Sequence, residues 1–410
     1  MSLRDASVPL IRGARLLHFS CRPATVQRMN AFTARWILPL DRPALPGGIL
    51  VLDRGRTVAL EPHGSRSATD LGDVALLPGL VNAHTHLDLC GMAGMAPPQR
   101  NFPAWLRQVI AHRRSRPVEA IEADIRHGIA QCVRWGTTLV GDISGDGASW
   151  PLLAESGLGG IVFREVLGLT PERAEAARET LRTWARTPPT GPLRAGLSPH
   201  APYSVHRDLF AEAAVYPLPV CTHLAESPEE MELLAHRQGS FVEFLQGVGV
   251  WHPEGLSDSP ASILAALKPS PTRLVLLAHG NYLDLQTPHL DAATVVYCPR
   301  THAAFGHPPH PFRAMRARGV RVVLGTDSLA SNPDLDVLAE VRFLHERHPD
   351  IPVIQLLQMA TNAEALGFPR DAGGWIAVPI PSGCSDPYAA VLESTGMRVR
   401  IGAENPARPK

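Results

Sequence analysis

The chain has 410 residues, 45% hydrophobic and 19% charged, a balance that fits a folded globular protein with a large core and excludes extensive disorder. Lysine plus arginine equals aspartate plus glutamate at 39 each, so no net field draws the chain to nucleic acid or to an anionic membrane. The N-terminus lacks an apolar h-region, no long apolar run occurs, and the cysteines at 21, 90, 132, 221, 298 and 384 form no CxxC pair, which together predict a cytoplasmic protein with reduced thiols.

In chain order, residues 1–76 carry the short apolar pieces ARWILPL, GGILVLD and GRTVALE, separated by proline and glycine, which predict short β-strands. From residue 74 onward eight apolar runs follow: VALLPGLVNAH, TTLVGDIS, GIVFREVLGL, LRAGLSPH, LPVCTHLAES, TRLVLLAHG, ATVVYCPRTH and VRVVLGTDS. Longer segments between them, such as PVEAIEADIRHGIAQCVRWG, PERAEAARETLRTWART and SPEEMELLAHRQGSFVEFLQG, repeat apolar positions at three and four and predict helices. Strands alternating with helices imply a parallel sheet, and eight such units over 77–365 predict an α/β fold, a (β/α)8 TIM barrel. After residue 366, GGWIAVPIP and STGMRVRIG return to the texture of the N-terminus. Segments 1–76 and 366–410 are therefore expected to build one small β-sandwich beside the barrel.

The eight runs end in HTH, GDIS, REV, SPH, HLAES, AHG, CPRTH and GTDS. In a barrel these are the C-terminal strand ends, the face where active sites lie. Ordinary turn chemistry favours Gly, Asn, Ser and Pro there. It does not account for histidine at five of the eight ends.

A catalytic zinc takes three or four ligands from His, Cys, Asp and Glu. His84 and His86 stand two apart, so on an extended chain they point the same way. His223, His279 and Asp327 end the fifth, sixth and eighth runs. Singly, a strand-end histidine is satisfied by a backbone carbonyl and Asp327 by a helix N-cap role. Together they point to a metal site, and imidazoles with a carboxylate suit zinc, with iron as the rival. Glu226, three residues after His223, turns over the mouth, where it can act as general acid and base. The plainer role of a first-turn acid is already filled by Glu229 and Glu230.

His200 and Tyr203, in SPHAPYS, reach the mouth without a metal role. Phe102, Trp105 and Leu106, in NFPAWLRQVI, either cover an aromatic substrate ring or pack in the core. Arg164 and Arg300, at the third and seventh ends, either bind a sugar hydroxyl or carboxylate of the substrate or form structural ion pairs. Asp88, Asn332 and Ser328 are weaker candidates.

The blocks PGLVNAHTHLD, SPHAPYS, THLAES, AHG, YCPRTHAAFGH and GTDSLASN, in this order, resemble the amidohydrolase superfamily and, within it, the deaminase and chlorohydrolase branch. The resemblance implies that His84, His86, His223 and Asp327 hold one divalent metal ion per chain, that His279 and Asp327 hold and deprotonate the attacking oxygen, and that Glu226 shuttles protons. His200 would contact substrate. Binuclear members bridge their metals through a carboxylated lysine at the fourth strand end. Here that block is GLSPHAPYS and the lysines are Lys268 and Lys410, which excludes a lysine bridge and leaves only a glutamate or cysteine bridge open.

The resemblance further implies a metal-dependent hydrolase of C–N bonds, in which zinc-bound hydroxide attacks a ring carbon of an aminated purine nucleoside and ammonia leaves. The nearest substrate is an adenine nucleoside joined to a benzoate, from menaquinone biosynthesis, and an arginine at the mouth is expected to meet its carboxylate. The YCPRTHAAFGH block departs from the CPxSN form of members acting on thioadenosine or homocysteine derivatives. Two alternatives stay open: another hydrolase of the branch acting on guanine, cytosine, a triazine or an imidazolone, and a non-catalytic nucleoside-binding barrel. The expected partners are a small-molecule substrate and water, with neither nucleic acid nor membrane, and a homo-oligomer is compatible with the sequence.

Overall fold

The computed structural model describes residues 29–402. Cys21, Lys410 and the outermost parts of the two terminal segments lie outside the described residues.

Eight parallel strands lie side by side in chain order: Leu80–Thr85, Thr137–Ser144, Gly159–Val166, Leu193–Pro199, Val220–Leu224, Val275–His279, Thr294–Tyr297 and Arg321–Leu324. The eighth closes on the first just beyond its end, where Thr326 N and Asp327 N donate to His84 O at 3.2 and 3.0 Å. Closure therefore happens at the residues expected to hold a metal. The strands are apolar on both faces because both are buried. Ile161, Phe163, Cys221, Leu276, Ala278 and Val296 pack in one cluster inside the barrel, while Val162 and Val140 meet Ile125, Ile129 and Cys132 of the covering helix Val118–Arg134.

Two details differ from the sequence reading. The run VALLPGLVNAH divides at Gly79, so that Val74–Pro78 leaves the barrel and pairs antiparallel with Trp375–Pro379. A Cβ at Gly79 would lie 2.2 Å from Thr138 Oγ1, so only bare backbone makes this crossing. The segment SPEEMELLAHRQGSFVEFLQG is two helices, Pro228–His236 and Ser240–Gly247. Left-handed Arg237 and Gly239, at φ 55° and 89°, break it.

Strands from both ends of the chain share one five-stranded sheet, in which Val399–Ile401, Trp375–Pro379, Val74–Pro78, Trp36–Ile37 and Leu45–Pro46 are neighbours. A four-stranded sheet of Arg56–Glu61, Ile49–Asp53, Asn30–Thr33 and Thr69–Asp70 packs on it through Leu50 and Leu52 against Ile37, Leu76 and Trp375. Helix Phe102–Ser115 covers the barrel mouth. Asn101 caps it by accepting from Ala104 N at 3.0 Å, and its Phe102, Trp105 and Val109 are buried in one cluster with Tyr203, Phe241 and Phe305. Among the described residues no helix is long and apolar enough to cross a membrane.

Candidate active site

His84 and His86 stand at the end of the first strand, whose register against the second slips between Asn82 and Thr85. His84 is fully buried and neither of its ring nitrogens has a hydrogen-bond partner, and His86 Nδ1 is likewise unpartnered. His86 Nε2 faces His223 Nε2 at 3.2 Å. Asp327 Oδ1 lies 3.7 Å from His84 Nε2 and 3.6 Å from His86 Nε2, while its Oδ2 accepts from Ser331 Oγ at 2.6 Å. Two trios, His84 with His223 and His279, and His84 with His86 and Asp327, each bring their ligand atoms within 4.8 Å of one another. His84 belongs to both.

The protonation of these rings follows from their surroundings. Burial first, then the neighbouring rings, holds His84, His86 and His279 well below the ordinary histidine range, and burial brings His223 down to about 3. The imidazoles are neutral, the form that ligates a metal. His223 Nδ1 donates to His200 O at 3.0 Å, a bond that turns its Nε2 lone pair inward. Buried nitrogens without partners cost free energy unless something satisfies them. These converging lone pairs, beside a carboxylate, fit a divalent cation.

Three strand ends hold non-glycine residues in the left-handed region: Ala225 at φ 54°, His279 at 68° and Asp327 at 59°. Such strain, about 1–3 kcal/mol per residue, persists where the surroundings enforce it and collects at functional sites. At Ala225 the enforcing groups are visible. Glu230 accepts from Ala225 N at 2.7 Å and from Glu226 N at 3.0 Å, and Asn281 Nδ2 donates to Glu226 O at 2.8 Å. Glu230, read in the sequence as a helix first-turn acid, thus also holds the turn that presents Glu226. Glu226 Oε1 lies 3.3 Å from His279 Nε2. Burial, then the carboxylates of Asp327 and Glu230, push the Glu226 carboxyl well above its ordinary range, which favours its protonated form.

A cavity of about 60 Å³ opens from these groups and is roofed by the helix Phe102–Ser115. Trp105, Phe102, Leu106, His200, Tyr203 and Ser328 line it, as do Glu226, His279 and Asp327. Asn332 sits behind it, donating to Thr326 O and Glu340 Oε1, each at 2.7 Å.

Arg164 and Arg300 do not reach the cavity. Arg164 lies on the outer side of its strand, bonded to Gly145 O and sharing a surface groove with Glu179 and Trp184. Strand alternation turns its neighbours Phe163 and Glu165 inward instead. Arg300 donates to Glu340 Oε1 at 2.7 Å and to Asp334 Oδ1 at 2.6 Å, the structural ion pair that was its plainer reading. Arg300→Met should lower stability by about 3 kcal/mol, because fully buried Glu340 loses its countercharge, and should leave KM unchanged. Denaturant unfolding and steady-state kinetics check this, and a raised KM at unaltered stability would return Arg300 to the cavity.

Arg113 and Glu165 line the cavity and were not singled out in the sequence. Arg113 donates to Glu165 Oε2 at 2.7 Å and to Asp88 Oδ2 at 2.8 Å. The guanidinium is therefore engaged on both sides. The signal that could have found Glu165 is its parity with Phe163, but both neighbouring parities of GIVFREV are buried, so apolar pattern alone is silent on which faces in.

A (β/α)8 barrel whose strand ends gather four histidines, an aspartate and a buried glutamate has the build of a metal-assisted hydrolase. The chain belongs to the amidohydrolase family, whose profile matches residues 75–376, and it is a hydrolase acting on carbon–nitrogen bonds. Members of this family are metal-dependent. The aminodeoxyfutalosine deaminase of Deinococcus radiodurans is 31% identical over 363 residues, which cover 80% of this chain and 82% of that one. The crystal structure of Helicobacter pylori aminofutalosine deaminase with methylthio-coformycin superposes with a TM-score of 0.77 at 22% identity, covering 90% of this chain and 97% of that one. An adenosine deaminase from Xanthomonas campestris with bound zinc superposes with a TM-score of 0.69 at 21% identity, covering 89% of each chain.

Proposed function

We propose that this enzyme deaminates an aminated purine nucleoside, with aminodeoxyfutalosine the leading substrate. Hydrolysis of the bond between a ring carbon and its exocyclic amine consumes one water and releases ammonia, leaving an oxo group. The observation that carries this reading is the placement of Glu226 Oε1 3.3 Å from His279 Nε2, at the head of a cavity walled by Phe102, Trp105 and Tyr203. Those rings suit a flat heteroaromatic substrate. The likeness to the Deinococcus radiodurans enzyme supports the particular nucleoside.

His84, His86, His223 and Asp327 would hold one divalent ion, with zinc favoured by the donor set. When bound, that ion supplies Lewis acidity and lowers the pKa of water. Glu226 gives its proton to the ring nitrogen beside the carbon under attack. His279 and Asp327 hold the attacking oxygen and take its protons, one of which passes to the leaving amine, so that it departs as ammonia, while the other restores the proton that Glu226 gave to the ring nitrogen. A cavity of about 60 Å³ is smaller than a nucleoside, so the lining must open as substrate enters.

The substrate's benzoate does not find its counterion in the deep cavity, because Arg113, the arginine of its lining, already serves two carboxylates. The five described cysteines are all free, which fits work in a reducing cytoplasm.

Ammonia release from the zinc-loaded enzyme, measured on aminodeoxyfutalosine, adenosine, 5′-methylthioadenosine, guanine, cytosine and a triazine, tests the reading. Aminodeoxyfutalosine is expected to give the highest kcat/KM. Preference for guanine, cytosine or the triazine would replace it.

A further inference from the structure

Glu165 is not needed to hold the metal or to move the proton, yet it is buried in the wall of the same cavity. It ends the third barrel strand with an exposure of 2%. Its Oε2 accepts from Arg113 Nη1 at 2.7 Å. Its Oε1 has no hydrogen-bond partner, and His200 Nε2 stands 3.7 Å away, beyond hydrogen-bond reach. Burial pushes this carboxyl up, but Arg113 together with the neighbouring His200 and His223 brings it down to about 2, so the group is ionised at neutral pH. Asp88 Oδ1 and Asp124 Oδ2 are likewise buried without a partner, but of these three carboxylates Glu165 is the one that lines the cavity. Glu165 thus keeps one oxygen on Arg113 and one without a partner, in a side chain that lines the cavity.

The character of the missing partner follows from charge. Arg113 is flanked by Glu165 and Asp88, two carboxylates to one guanidinium, so the wall offers no cation to an anionic group. It offers an acceptor. Reaction chemistry is confined to the fifth, sixth, eighth and first strands, through Glu226, His279, Asp327 and the His84–His86 pair. Glu165 and His200 stand on the third and fourth. With the reacting edge of a purine at Glu226, the wall of the third and fourth strand ends is left for its other substituent, which in a nucleoside is a sugar carrying hydroxyl donors.

We propose that Glu165, clamped by Arg113, is a specificity-determining residue that accepts a hydrogen bond from a sugar hydroxyl of the substrate through its unbonded Oε1. Arg113 is then a positioning residue, fixing Oε2 so that Oε1 stays aimed at the cavity. The assignment rests on the nucleoside-deaminase reading above and sharpens it to ribosides.

The test compares adenosine, 2′-deoxyadenosine and 3′-deoxyadenosine with the zinc-loaded enzyme, by kcat/KM or, where turnover is slow, by inhibition of aminodeoxyfutalosine deamination. Loss of the hydroxyl that meets Glu165 should cost the unaltered enzyme about 10- to 100-fold, the size expected for a hydrogen bond to a charged group. E165Q should weaken adenosine and bring the adenosine-to-deoxyadenosine ratio to within about threefold of unity, because the bond loses its charge. E165D keeps the charge facing Arg113 but withdraws the oxygen, and should lower the same ratio should E165Q prove unstable. Equal treatment of all three nucleosides by the unaltered enzyme overturns the proposal while leaving nucleoside deamination standing. So does an equal loss on all three in the variants, which marks a purely structural carboxylate. Failure of the unaltered enzyme to release ammonia from any purine nucleoside removes the underlying reading and the sugar assignment with it.

Discussion

Glu226→Gln should leave the protein folded and its metal bound while lowering turnover by about 10²-fold or more. The glutamine amide fills the same volume and still meets His279, but it has no proton to release to a ring nitrogen. The turn that carries it is held by Glu230, which bonds Ala225 N and Glu226 N, and by Asn281, which bonds Glu226 O, so the backbone does not depend on the side chain being replaced. Metal content and thermal unfolding are measured beside ammonia release. A normal rate would remove Glu226 from the chemistry, and metal lost together with the rate would make it a ligand instead.

His84→Ala is expected to have the larger effect. His84 is the residue common to both ligand trios, it is fully buried, and no hydrogen bond occupies either of its nitrogens. Its removal opens the ligand set at the centre, so metal content should fall from about one equivalent per chain toward zero. Turnover should fall by about 10³-fold or more, since a Lewis acid supplies several kcal/mol of transition-state stabilisation and each 1.36 kcal/mol is a factor of ten. Chelation of the unaltered enzyme should reproduce the loss, and zinc should restore it. Two equivalents per chain at full activity would overturn the reading of a single ion.

These two predictions concern residues that were legible in the sequence, and the reason is local. His84, His86, His223, His279 and Asp327 each stand at or just past the polar end of an apolar run, and the barrel rule places such ends on one face. Glu226 follows His223 closely enough to share that face. Glu230 was legible as an acid but not as a brace, because its partners are amides of a turn whose left-handed Ala225 has no glycine to announce it. The division of VALLPGLVNAH at Gly79 was hidden for a different reason. Both halves are apolar strands, and only the approach of Thr138 and Gly373 shows that they belong to different sheets.

The arginines mark the limit most clearly. Arg164 and Arg300 were candidates because they stand near strand ends, yet one faces outward and the other is consumed by Asp334 and Glu340. The arginine that does line the cavity, Arg113, sits near the end of a helix with no motif around it. Its partners Asp88 and Glu165 lie 25 and 52 residues away in sequence.

The sequence by itself determined the barrel, the family resemblance and the chemistry of the strand ends, since these depend on periodicity and on residue types at fixed offsets along one chain. The tertiary structure decided which side chains complete the cavity wall. Strand parity, helix placement and ion pairing are set by contacts between distant segments, and a strand buried on both faces gives no local sign of which residue turns inward. That is why Glu165, one residue past Arg164, emerged only when the third strand was seen against its neighbours.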